Sequence, residues 1–379
     1  MVRNLGVRKA AWRLAGWLVL WAGSGSAAMA QELVVAELGT YARQQSMQST
    51  FYLAGVQAAF EQANRAGGVN GRRVVLARAP EPVEPAQAAA ELKRVLAEHK
   101  PVALVGFLGD GSVRALAAGG LERERIALVG AQNADDELDS PAVFRTRAGL
   151  AEELAKVCQQ LGTIGLTRLA SFTEEGPQGE RSVRLLQELP ACKGLTLVAR
   201  TSQPAGKVHA PGAVEALLKA APQAVIIVSS PAAAAGLIEN YRLEGGGATL
   251  FASSSVDVER LAMRLGEQYL RGVSIAQVVP SPYRIANRLT KDFVDARALL
   301  KDPPPVSYTM MEGYVTGRVL LAGLRKAGNA PSRDTVLAAL DALEPQDLGG
   351  YQVAYGRGNR RGARFVELTI VDAGGRVRQ

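Results

Sequence analysis

The chain is poor in the side chains that carry covalent chemistry. Its 379 residues include two cysteines and two histidines, and aromatic residues make up only 5%. Cys158, Cys192, His99 and His209 lie too far apart to form a metal site of the usual spacing, so no metal is expected. There is no Gly-x-Ser-x-Gly, no Walker loop and no His-Glu-x-x-His. No Gly-x-Gly-x-x-Gly opens the first helical stretch, which argues against a dinucleotide cofactor. Neither histidine is expected in a loop that follows a strand. Catalysis needs an activated nucleophile or a tuned acid–base pair, and the chain offers neither pattern, so an enzyme is not expected and no cofactor is assigned.

Charged residues are also modest, at 21%, while 47% are hydrophobic. That balance excludes disorder, a coiled coil and a membrane bundle. The net charge of +8 is concentrated at the start. Arg3, Arg8, Lys9 and Arg13 precede a short apolar run, Leu14–Ala22, and the small-x-small triplet Ala28-Met29-Ala30 follows. This is the order of a secretory signal peptide, with cleavage expected after Ala30. The apolar run is too short to span a bilayer comfortably, and no cysteine follows it to take a lipid. The leader holds four of the 44 basic residues and none of the 36 acidic ones, so the remainder carries only +4. That is no basis for nucleic-acid binding. Arg357, Arg360, Arg361 and Arg364 cluster late in the chain and read as a solvated loop. An exported chain permits a Cys158–Cys192 bridge, and adjacent helices bring the two within reach, but the spacing leaves both bridged and free thiols open.

Beyond the leader, strand and helix signals alternate. Leu33–Leu38, Arg73–Ala77, Val102–Gly106, Ile126–Gly130, Arg168–Phe172, Leu195–Ala199, Ala224–Val228, Thr249–Ala252 and Val273–Val279 read as strands. Several are apolar throughout, as suits the interior of a parallel sheet. Between them lie helical stripes: Leu53, Val56, Phe60 and Ala63; Leu92, Val95 and Leu96; Leu150, Leu154, Val157 and Leu161. The first stops at Ala66-Gly67-Gly68-Val69-Asn70-Gly71, a glycine-capped turn. So many βα units exceed one compact open sheet, so the expected fold is α/β with two doubly wound parallel-sheet lobes. Ligands bind such sheets beyond the carboxyl ends of the strands. The loops to watch are therefore Gly39–Ser49, Phe107–Ser112, Ala131–Asp135, Thr173–Gln178, Ser229–Pro231 and Ser253–Asp257. Their Gly, Ser, Thr, Asn and Gln content suits a polar or anionic small molecule.

Asn64-Arg65-Ala66-Gly67-Gly68-Val69-Asn70-Gly71-Arg72 resembles the first-lobe signature of the branched-chain amino-acid/amide-type substrate-binding proteins of ABC transporters, the leucine-binding-protein-like type I periplasmic binding proteins. Val105–Gly109, Val143–Arg147, Ala276–Pro280, Tyr308–Tyr314, Leu348–Tyr351 and Phe365–Thr369 match further motifs of that family in order. Each motif is weak alone; their order over the chain carries the resemblance. It implies a three-stranded hinge joining lobe 1 (31–146 plus 280–352) to lobe 2 (147–279 plus 353–379). Phe144–Arg147 and Gln277–Pro280 would be two of the three crossovers. It also implies a periplasmic monomer that closes on an amino acid, amide, carboxylate or aromatic acid and delivers it to permease subunits in the inner membrane. A soluble ligand-sensing subunit for a signalling partner is the alternative.

The candidate ligand-binding residues are Tyr41, Phe107, Ser112, Gln132, Asn133, Phe172, Glu174 and Tyr308. Ser112 stands where the family uses a serine against a ligand carboxylate, but Asp110 beside it would repel that group unless paired. Asp257 lies near the place of the family's amine-binding acid, yet it also reads as the N-cap of the helix Val258–Leu265. Ser229 and Ser230 read as helix caps.

Overall fold

A computed structural model describes residues 32–39, 46–82, 85–106, 108–132, 134–135, 137–356, 358–372 and 377–378. The leader residues 1–30, and with them the cleavage site, lie outside the described residues, as does Arg357 of the late arginine cluster. The first half of the described chain runs β1 (Leu33–Gly39), α1 (Ser46–Arg65), β2 (Val74–Pro82), α2 (Ala88–His99), β3 (Ala103–Val105), α3 (Asp110–Leu116), β4 (Leu128–Val129) and β5 (Val143–Phe144). It continues through α4 (Leu150–Thr163), β6 (Arg168–Glu174), α5 (Pro177–Glu188), β7 (Thr196–Gln203), α6 (Pro211–Ala220), β8 (Ala224–Val228), α7 (Pro231–Leu243), β9 (Thr249–Ala252), α8 (Val258–Arg264), α9 (Glu267–Leu270) and β10 (Ser274–Gln277). Then come α10 (Arg288–Arg297), α11 (Tyr308–Lys326), α12 (Arg333–Asp341), β11 (Gln346–Asp347), β12 (Gln352–Gly356), β13 (Asn359–Gly362), β14 (Glu367–Val371) and β15 (Val377–Arg378).

The strands build two main sheets. One is wholly parallel, in the order β2-β1-β3-β4-β5. The other runs β15-β14-β10-β9-β8-β6-β7, parallel except at β14 and β15. Period-two alternation explains why helices cover both faces. In β1, Leu33 and Val35 enter one core, while Ala36 and Leu38 enter the core under α2 and α3. In β8, Val225 and Ile227 point to one layer, while Ala224, Ile226 and Val228 meet Leu154, Val157 and Leu161 of α4 on the other. Each expected helical stripe is buried.

Helix α11 is buried along most of its length and lies against α1. Glycine makes this possible: a Cβ on Gly55 would sit 1.9 Å from the Met310 carbonyl oxygen, and one on Gly313 would sit 1.8 Å from that of Tyr52. The backbones of the two helices touch there. Cys158 of α4 and Cys192, in a short turn after α5, form a disulfide with Cα atoms 5.0 Å apart.

Three stretches of chain pass between the two sheets: after β5, after β10 and between β13 and β14. The first two are braced by one side chain. The Tyr351 hydroxyl lies 2.8 Å from the Thr146 carbonyl and 3.0 Å from that of Val278, and its proton serves the two in turn. Tyr355 donates to the Arg145 carbonyl at 2.8 Å and packs edge-on against Phe144. Through β12 and β13 the chain therefore stays with the first sheet, and Arg145 donates its N–H to the carbonyl of Arg360. Arg360 stacks on Phe144 and pairs with Asp341, so it is not part of a solvated loop as expected. His209 also departs from expectation: it sits in the loop between β7 and α6, exposed.

Candidate functional site

The carboxyl ends of parallel strands from both sheets open onto one cavity of about 500 Å³. On the first-sheet side it is lined by Asp110 and Arg114 of α3 and by Gln132 and Asp135 after β4. Facing them are Glu174 at the end of β6, Gln178 and Arg181 of α5, Ser229–Pro231 after β8, and Ser253–Ser255 after β9. Such strand ends are where open α/β sheets hold ligands. The two walls arise from segments far apart in sequence, and neither alone encloses the space.

Local chemistry fixes the loops. Ser230 caps α7 by accepting the Ala233 N–H, and Asp257 caps α8 by accepting the Arg260 N–H at 3.0 Å, as their sequence positions suggest. Asp257 does a second job: its other oxygen accepts from the Gln48 amide at 2.6 Å, joining α1 to the opposite wall. Glu174 accepts the N–H groups of Ser230 at 2.6 Å and Gly206 at 3.0 Å.

Below the cavity lies a buried ionic cluster. Arg147, in the stretch after β5, donates to Glu153 of α4 at 3.0 Å, to Glu312 of α11 at 3.1 Å, and to the Ser254 hydroxyl. Glu153 also accepts the Ser254 N–H at 2.7 Å. Burial alone would lower the guanidinium's pKa, but Glu312 and Glu153 hold it above its ordinary value. Burial raises the carboxyls of Glu153 and Glu312, and Arg147 offsets only part of that rise. At the edge of the interface, Glu259 of α8 accepts the Tyr283 hydroxyl at 2.6 Å and the Tyr308 N–H at 2.8 Å. Burial and the nearby Asp257 push its carboxyl up to about 8.

A sequence profile described as periplasmic binding protein matches residues 39–376. The chain belongs to the periplasmic binding protein family. Its fold is that of the type I members. It is similar to a substrate-binding periplasmic protein from Ralstonia solanacearum, at 29% identity and a TM-score of 0.84, over 92% of this chain and all of that one. The branched-chain amino acid transporter substrate-binding protein LivJ from Streptococcus pneumoniae, solved with isoleucine, shares the fold at 14% identity and a TM-score of 0.75, over 89% of this chain and 99% of that one. So does a fatty acid ABC transporter substrate-binding protein from Thermomonospora curvata, at 16% identity and a TM-score of 0.78, over 91% of this chain and 90% of that one. No curated protein matches. The family consists of binding proteins, and this member is not an enzyme.

In this periplasmic binding protein, two of the eight expected ligand residues line the cavity: Gln132 and Glu174. Tyr41, Phe107 and Asn133 lie outside the described residues. The structure does not bring Ser112, Phe172 or Tyr308 to the cavity. Ser112 turns inward from α3 with Val113 and Leu116, while Asp110, Gly111 and Arg114 face the opening. Phe172 is fully buried among the helix-facing residues, because a strand side chain points off the sheet face and not off its end. Tyr308 packs edge-on against Tyr283, 5.8 Å away.

Sequence reasoning missed Gln48, Arg114, Asp135, Arg147, Glu153, Arg181 and Glu312. Arg147 stood inside a recognised hinge motif, but nothing local linked it to Glu312, 165 positions on. Glu153 lies in the first turn of α4, where an acid is ordinary, and nothing in the local sequence set it apart. Among the described residues, no group of three or more His, Cys, Asp or Glu is placed to hold a metal, and no helix is long and apolar enough to cross a membrane.

Proposed function

We propose that this protein is the periplasmic solute-binding component of an ABC importer, exported by a leader cleaved after Ala30. It binds one small polar molecule in the 500 Å³ cavity and presents the closed form to permease subunits in the inner membrane. One observation carries this reading: polar loops from the strand ends of both sheets meet at a single cavity, and the sheets are joined by only three crossing strands. Closing such a cleft couples ligand contact to shape, and the shape is the signal. The likeness in fold to a branched-chain amino acid transporter substrate-binding protein and to a fatty acid ABC transporter substrate-binding protein supports the importer assignment.

The proposed lobes are 31–146 plus 280 onward, and 147–279 plus the C-terminal strands. The third crossover is placed at 363–366, later than the 352/353 boundary read from the sequence. The reason is that Tyr355 and Arg360 both pack on Phe144 of the first sheet. The functional unit we propose is a monomer, as the family resemblance implies.

The test is a thermal-shift screen of residues 31–379 against amino acids, amides, dicarboxylates and aromatic acids, with small-angle scattering on any hit. A ligand that raises Tm by native-state binding and lowers the radius of gyration supports the reading. Gln132→Ala is expected to weaken that ligand by about 10-fold without lowering the Tm of the free protein, a loss typical of one hydrogen bond to a polar ligand group. A ligand that binds with no compaction would sink hinge closure.

A further inference from the structure

The charges around the cavity are unequal. Six carboxylates line it against four guanidiniums. Each of the four arginines is already paired. Arg114 contacts Asp135; Arg147 contacts Glu153 and Glu312. Arg181 lies 3.7 Å from Asp135 and 3.5 Å from Glu137, and Arg184 lies 3.2 Å from Glu137. Among the described residues, each guanidinium that lines the cavity already has a carboxylate partner.

Asp110 is the counterexample. It lines the cavity from α3, and among the described residues no cation stands within ion-pair distance of it. One of its oxygens accepts the Ala134 N–H at 3.0 Å, which fixes the carboxylate without neutralising it. Burial raises the Asp110 carboxyl and the nearby Asp135 adds to that rise, while the Ala134 N–H and, from beyond ion-pair distance, Arg147 and Arg181 offset part of it. Across the cavity Glu174 is held by two backbone N–H groups and likewise has no cation. Gln132, on the Asp110 side, is half-buried and has no side-chain hydrogen bond among the described residues, so it can accept or donate.

We infer that the ligand is a cation, an amine, guanidine or quaternary ammonium of net positive charge, whose charged nitrogen sits against Asp110. This rests on the reading of the cavity as the ligand site and narrows it. It narrows the sequence expectation of an amino acid, amide, carboxylate or aromatic acid to a ligand of net positive charge. The physical reason is that a half-buried carboxylate without an ion-pair partner is partly stripped of water, and a ligand that brings a positive charge to it gains a contact the protein's own residues do not supply. Among the described residues, a carboxylate ligand would meet two acids without an ion-pair partner and only arginines already engaged by carboxylates.

Titration calorimetry on residues 31–379 tests this with matched pairs of equal shape: L-arginine against L-citrulline, putrescine against butanediol, choline against dimethylbutanol, with succinate as the anion. The expected result is measurable binding of at least one cation and a neutral partner at least 10-fold weaker. Asp110→Asn keeps the oxygen that accepts from Ala134, so it should fold normally. It should weaken the cation by about 10- to 100-fold, the loss of one charge-assisted hydrogen bond. A neutral compound or succinate binding as tightly as any cation, no cation binding at all, or Asp110→Asn with unchanged affinity each overturns the inference. If a neutral or anionic ligand binds and compacts the protein, the solute-binding reading survives and the sign of the charge does not. If no compound of any class binds in either assay, both fall.

Discussion

Replacing Arg147 with methionine tests whether the ionic cluster beneath the cavity holds the two sheets together. Arg147 and Glu153 are almost fully buried, and Glu312 is only 10% exposed. Removing one partner of a buried pair costs about 3–5 kcal/mol, because the abandoned charge has no water to turn to. The two carboxylates differ in what remains. Glu153 keeps the Ser254 N–H at 2.7 Å and the Ser254 hydroxyl at 2.9 Å. Glu312 keeps no comparable donor, so most of the penalty falls there. We expect Arg147→Met to lose about 4 kcal/mol at pH 7, toward the middle of that range. Adding Glu312→Gln should recover about 1–2 kcal/mol by removing the stranded charge. The pH dependence has a definite sign. Burial raises both carboxyls in the folded protein, so the folded state takes up protons more readily than the unfolded one. Stability from such groups is greatest at low pH and is lost as pH rises. Without Arg147 the rise is larger, so the gap between variant and wild type should narrow as pH falls from 7 to 5. Urea unfolding at both pH values reads this directly through the midpoint at constant slope. A loss under about 1 kcal/mol, or one that does not change with pH, would refute the argument.

Three further outcomes follow from the fold. Cys158→Ala with Cys192→Ala opens a loop spanning 34 residues, and the chain-entropy relation gives a loss of about 3–4 kcal/mol; reductant should then destabilise the wild type and leave the double variant untouched. Gly313→Ala places a methyl group against the Tyr52 carbonyl and forces α1 and α11 apart, which should lower stability by roughly 2–3 kcal/mol in the same urea assay. Glu259, pushed up to about 8, favours the folded state while protonated, so wild-type Tm should decline between its ordinary carboxyl range and pH 8; Glu259→Gln should flatten that decline, and an unchanged slope would remove Glu259 as its source.

The architecture was legible because its signals are local. Apolar runs such as Ala224–Val228 and the stripe Leu150, Leu154, Val157 and Leu161 report burial directly, and both are buried as read. Cap residues were legible for the same reason: Ser230 and Asp257 act on N–H groups three positions ahead. The site was only half legible. Topology places the expected strand-end loops after β4, β6, β8 and β9 together around one cavity, but the orientation of single residues within such loops is not legible in sequence. Ser112 and Asp110 are two positions apart in one helix, and helical geometry sends one inward and the other to the cavity. The charge balance was out of reach altogether. Arg147 reaches Glu312, and Gln48 reaches Asp257, across 165 and 209 positions. Without those pairings the Gly, Ser, Thr, Asn and Gln content of the loops suggested a polar or anionic molecule, whereas among the described residues Asp110 and Glu174 line the cavity without an ion-pair partner.

The glycine contact between α1 and α11 sets a clock on synthesis. The two helices lie roughly 240 residues apart in sequence, and at about 5–20 residues per second the ribosome needs on the order of 10–50 s to make the second after the first. Throughout that interval the face of α1 bearing Tyr52, Val56 and Phe60 has no partner. The stretch from α4 to β10 is continuous and can collapse while it waits. The second sheet waits longer at one edge, since β14 and β15, which complete it beside β10, are made only after α11.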